Sequence, residues 1–72
     1  MMLTFILPTP PSREIEINLD REGAEELITI LQSFVNKGVH DHYHLMSGNE
    51  LTDVTGELAD DAALMVTLRF SA

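Results

Sequence analysis

At Asp20 the period of the hydrophobic pattern changes from two to about 3.6, and this switch constrains the fold more than any other feature of the chain. Ahead of it, Glu14-Ile15-Glu16-Ile17-Asn18-Leu19 alternates strictly. That predicts a strand with Ile15, Ile17 and Leu19 turned inward and Glu14, Glu16 and Asn18 outward. Beyond it, Leu27, Ile30, Leu31 and Phe34 recur at helical spacing with Ala24 on the same side, which predicts a helix over about 21–37. The ends agree with the period. Asp20 is placed to cap the N-terminus, acidic residues fill the first turn, Lys37 sits in the last, and Gly38 can close the helix in the left-handed conformation.

The flanking segments read as strands. Leu3 to Leu7 is β-branched, aromatic or aliphatic and stops at the P-T-P-P-S run, where proline removes the ladder donor. His40 to Met46 forms a third candidate strand, followed by Ser47-Gly48-Asn49 as a turn. Leu64 to Phe70 alternates again, with Leu64, Val66, Leu68 and Phe70 on one side and Met65, Thr67 and Arg69 on the other. Residues 50–61, E-L-T-D-V-T-G-E-L-A-D-D, fit an acidic loop or a short helix equally. The β-β-α-β-β order predicts one α+β domain over residues 1–72: a four-stranded antiparallel sheet with one amphipathic helix on one face. Strand orders 2-1-3-4 and 1-2-4-3 both satisfy that expectation.

Charge and composition narrow the function. Twelve Asp and Glu against four Lys and Arg give a formal charge of −8, a surface that repels phosphate backbones and anionic lipids. Neither nucleic acid nor a membrane is expected as a partner; a basic protein is. The chain has no cysteine, so neither a disulfide framework nor a thiolate metal site can be drawn. The opening M-M-L-T-F-I-L lacks a basic n-region and runs into prolines, so a cytoplasmic protein without a signal segment is expected.

The distinctive local feature is His40-Asp41-His42-Tyr43-His44, whose alternation puts three histidines on one face, expected to be the face away from the helix. A pair of imidazoles invites a metal, but same-face residues lie about 6.7 Å apart, which separates His40 and His44 by about 13 Å. Glu14 and Glu16 would lie one strand removed, about 9.5 Å away. Surface histidines are therefore expected rather than a metal site or cofactor. Catalysis is not expected: there is no Cys nucleophile, G-x-S-x-G, H-E-x-x-H or Gly-rich phosphate loop, and Asp41 points away from His42.

Gly23, Leu27 and Leu31, then His42-Tyr43-His44-Leu45, then Gly48-Asn49-Glu50-Leu51-Thr52, resemble the immunity-protein 32 family of bacterial polymorphic-toxin systems over the middle third of the chain. The resemblance implies a small cytoplasmic protein that binds and neutralises a cognate toxin and has no chemistry of its own. The residues expected to meet such a basic partner are Glu14, Glu16, His42, His44 and Arg69 on the open sheet face, with Asp53, Glu57, Asp60 and Asp61 in the acidic loop. The alternative is a homodimeric accessory module, self-associating through apolar Met2, Thr4, Ile6 and Met65 on the uncovered face of the sheet. A histidine-based metal sensor is a weaker third reading.

Overall fold

The computed structural model describes residues 1–7, 13–53 and 61–72. The elements run β1 (Leu3–Ile6), β2 (Glu16–Leu19), α1 (Arg21–Lys37), β3 (Asp41–Met46) and β4 (Met65–Phe70), an α+β arrangement. Both helix caps form as the residue types require. The Asp20 side chain accepts from the Gly23 N–H at 2.8 Å. Gly38, at φ 67°, donates its N–H to the Phe34 carbonyl. Among the described residues no helix is long and apolar enough to cross a membrane.

The strands do not make the single four-stranded sheet that their order suggests. They form two separate two-stranded antiparallel sheets, β1 with β2 and β3 with β4, so neither 2-1-3-4 nor 1-2-4-3 describes the molecule. The physical reason lies at residues 61–64, where the chain changes partner. Leu7 donates to the Asp61 carbonyl and Ala63 to the Phe5 carbonyl, both at 2.8 Å, around the lone antiparallel bridge Ile6 to Ala62. One residue later the Leu64 carbonyl accepts from Ser47, and the chain continues as β4 beside β3 in the register His42 to Arg69, His44 to Thr67. A single bridge is too short to join the two ladders into one.

A second joint is the turn after β3. Gly48, at φ 83°, lets the chain reverse, and Leu51 is swallowed at 1% exposure. Thr52 then binds β1 in both directions: its N–H donates to the Leu3 carbonyl and its hydroxyl accepts from the Leu3 N–H, each at 3.0 Å. The core forms at this junction from Leu3, Ile30, Phe34, Leu45 and Leu51, with Phe5, Val66, Leu68 and Phe70 packed against it. Phe34 stacks on Phe70 at 5.6 Å.

Four inward expectations fail. Ile15, Ile17 and Leu19 are exposed, although Ile17 and Leu19 stand opposite Phe5 and Leu3 in the β1–β2 ladder; the helix leaves that part of the face bare. Leu31 is exposed as well, and the helix instead buries Gly23, Ile30 and Phe34. Thr4 and Ile6, expected on an open apolar face, are buried. Strand β1 is flanked by β2 on one edge and by the bridge at Ala62 on the other.

Candidate functional site

The open face of the β3–β4 sheet follows from the register. Directly opposed residues of an antiparallel pair share a face, so His42, Arg69, His44, Thr67, Met46 and Met65 lie together. Tyr43, Leu45, Val66, Leu68 and Phe70 occupy the core side. The histidine face is therefore turned away from the helix, and no carboxylate stands on it within β3 and β4. His42 and His44 meet edge to face at 5.1 Å. His44 Nδ1 is bonded to Thr67 Oγ1 at 2.9 Å, which leaves Nε2 to the outside.

His40 does not continue the row. It precedes β3, and its Nδ1 accepts from the Ala72 N–H at 3.2 Å, an acceptor role that puts the proton of a neutral ring on Nε2. A cleft of about 290 Å³ opens there between His40, Asp41, His42, Arg69, Phe70 and Ser71. Asp41 is occupied, accepting from the His42 N–H at 2.8 Å and lying 3.8 Å from Lys37 Nζ. Among the described residues no group of three or more His, Asp or Glu is arranged to hold a metal ion.

The expected contact residues among the described ones are not brought onto one face. Glu16 belongs to the β1–β2 sheet and Glu14 precedes it, outside the strand, whereas His42, His44 and Arg69 belong to β3–β4. Asp53 is drawn back to the turn, where it accepts from the Ser47 hydroxyl at 2.6 Å. The Asp61 carbonyl serves β1. Glu57 and Asp60 lie outside the described residues.

The residue that sequence reasoning passed over is Glu50. One of its oxygens accepts from the Met46 N–H and the other from the Tyr43 hydroxyl, each at 3.0 Å. Donation from the Met46 backbone, then the local backbone and the Tyr43 hydroxyl, holds the Glu50 carboxyl below its ordinary value. The same bond pushes the Tyr43 hydroxyl up, because a phenolate beside the carboxylate would lose the bond and meet a like charge. Asp20 is held down by N–H donation from Met2 and then Gly23. Four residues of Gly48-Asn49-Glu50-Leu51-Thr52 thus have structural employment: a left-handed glycine, a clamp on β3, a core leucine, and a threonine that joins the turn to β1.

No family model, curated protein or solved structure matches the chain. The function must be argued from its own residues.

Proposed function

We propose that this chain is a small cytoplasmic binding protein without chemistry of its own that neutralises a basic protein partner by stoichiometric contact, in the manner of a bacterial immunity protein. The observation that supports this reading best is uncompensated charge. Twelve acidic residues face four cationic ones, and two of those four, Arg21 and Lys37, are already held near Glu25 and Asp41. The surrounding field therefore stays strongly negative, which accelerates encounter with a basic surface and repels nucleic acid and anionic lipid.

In this reading Glu14, Glu16 and the acidic segment with Asp53, Glu57, Asp60 and Asp61 steer the partner. The carboxylate-free strip of His42, His44 and Arg69 supplies hydrogen-bonding specificity. The test is co-expression with a toxin domain encoded by the neighbouring reading frame. Expected are restored growth and a one-to-one complex whose association slows as salt rises, with Glu14→Gln/Glu16→Gln lowering the association rate several-fold. A neighbourhood without a secreted toxin, or failure to restore growth, contradicts the proposal. Self-association, the second reading, is favoured by the exposed aliphatic side chains Ile28, Leu31 and Val35 on the helix.

A further inference from the structure

On the helix side of β3 lies a cleft separate from the histidine strip. Glu26, Ile30, Ser33, Phe34 and Lys37 follow one another at spacings of three and four, which sets them in one row along α1. Tyr43 and Asp41 of β3 border that row across a space of about 280 Å³. Ile30 and Phe34 are buried and make its floor, and the Tyr43 ring, 38% exposed, makes a wall. The two ends differ in charge. At the C-terminal end of the helix Lys37 and Asp41 lie 3.8 Å apart and answer each other. At the other end the half-buried Glu26 carboxylate has no hydrogen bond or ion pair among the described residues. Tyr43 registers that charge: its hydroxyl is pushed up first by the bond to Glu50, and Glu26 adds to the rise.

A carboxylate partly withdrawn from water without a partner is costly, and it selects for a cation. The rest of the cleft selects for what stands behind the cation. An apolar floor takes the hydrocarbon stem of a long basic side chain, and an aromatic wall attracts the cationic head. An anion would meet both Glu26 and the field of a chain with net charge −8. A wholly apolar group would strip water from Glu26 and return no bond. The cation already in the row does not serve, because Lys37 stands about 16 Å along the helix from Glu26. That is beyond the screening length of about 8 Å, so Lys37 neither neutralises Glu26 nor repels a newcomer there.

We infer that this cleft receives an arginine side chain of the partner, an inference that rests on the reading of that partner as a basic protein. The guanidinium forks to Glu26 and lies against the Tyr43 ring, and the methylene stem covers Ile30 and Phe34. Arginine fits better than lysine, because its planar head pairs with a carboxylate through two parallel N–H bonds while its face rests on an aromatic ring. Glu14 and Glu16 then guide the approach and Glu26 holds the partner after contact, since exposed charges act mainly on association and desolvated pairs on dissociation.

The probe is a blocked Gly-Arg-Gly peptide, titrated into the full chain and followed by methyl and aromatic NMR. Saturating shifts are expected at Ile30, Phe34 and Tyr43, with binding weakened as salt rises. The same peptide with lysine should bind several-fold more weakly, and with norleucine it should give no saturable shift. Glu26→Gln should weaken the arginine peptide by about tenfold. Glu25→Gln makes the same change in net charge at a position held by Arg21, and should leave binding within about twofold. Tyr43→Leu should cost about threefold, and Tyr43→Phe, which keeps the ring, nothing. Circular dichroism checks that each variant is folded, and the peptide series needs no variant at all. Equal weakening by Glu26→Gln and Glu25→Gln would mean that the peptide follows net charge alone, and would overturn the inference. So would shifts that do not saturate, that centre on Glu14 and Glu16, or that are as strong with norleucine or lysine. No toxin enters this titration, so the site can fail while co-expression still restores growth, and co-expression can fail while the peptide still binds.

Discussion

The two hairpin-like sheets begin from the same alternating pattern and end differently. In β3–β4 the apolar side is covered: Leu45 is fully buried, and Phe70 lies flat against Phe34 of the helix. In β1–β2 only the β1 half is covered, and Ile17 and Leu19 remain exposed opposite buried or half-buried neighbours. Alternation specifies which side chains share a face; whether another element reaches that face is decided by where the helix axis lies. Here Phe34 of the helix stacks on Phe70 of β4 and Ile30 joins the shared core, while Ile28, Leu31 and Val35 stay exposed.

The largest expected effect sharpens this contrast. Leu45→Ala removes a fully buried side chain from the finished half and should cost about 2–5 kcal/mol. For a domain whose net stability is roughly 3–5 kcal/mol, that is enough to unfold much of the population. Ile17→Ala, on the bare half, should cost less than about 1 kcal/mol. Urea denaturation of both variants measures the difference, and equal losses would break the comparison.

Next in size is Gly23. Alanine normally stabilises a helix by about 1 kcal/mol over glycine, but a Cβ at this position would run into the carbonyl oxygen and carbon of Met2. Both are backbone atoms that cannot swing aside, so the sign reverses. Gly23→Ala should destabilise by about 1–3 kcal/mol through overpacking, visible as a lowered thermal midpoint; a raised midpoint would show that the helix does not abut the chain at Met2.

The smallest effects concern the Glu50 clamp. Both Glu50 and Asp20 have carboxyls depressed by hydrogen bonding, so their contribution is present above the unfolded-state carboxyl range, near pH 4, and is lost as pH falls through the folded values. Tyr43 is raised, so its contribution is full below about pH 10 and is lost as pH rises through the folded value. Glu50→Gln should flatten part of the acid limb of a stability-against-pH curve. Tyr43→Phe should remove the alkaline loss while changing neutral stability only slightly.

Much of the local structure was legible because it depends on neighbours in sequence. The strand at Ile17, the Asp20 cap, the Gly38 closure and the turn at Gly48 each follow from a few adjacent residues. The parts that were not legible are held by distant partners. Glu50 looks like one more surface acid until Tyr43 and the Met46 N–H are seen to converge on it, and Thr52 looks like loop until it joins Leu3. The apolar arc of the helix spans about 160°, wider than one covering sheet needs, and periodicity alone does not divide it between Ile30 and Phe34, which are buried, and Leu31, Ile28 and Val35, which are not. The single sheet face expected to carry Glu14, Glu16, His42 and His44 did not form for the same reason: it required a continuous sheet, and the chain changes partners at Leu64 instead.

The central claim is that the β3–β4 half of this molecule is covered, whereas the β2 side and the outer side of the helix are bare. The most direct measurement is methyl NMR with a soluble paramagnetic agent, which broadens signals in proportion to their exposure. Strong broadening is expected at Ile17, Leu19, Ile28 and Val35 and little at Leu45 and Leu51. Broadening at Leu45 equal to that at Ile17 would contradict the account.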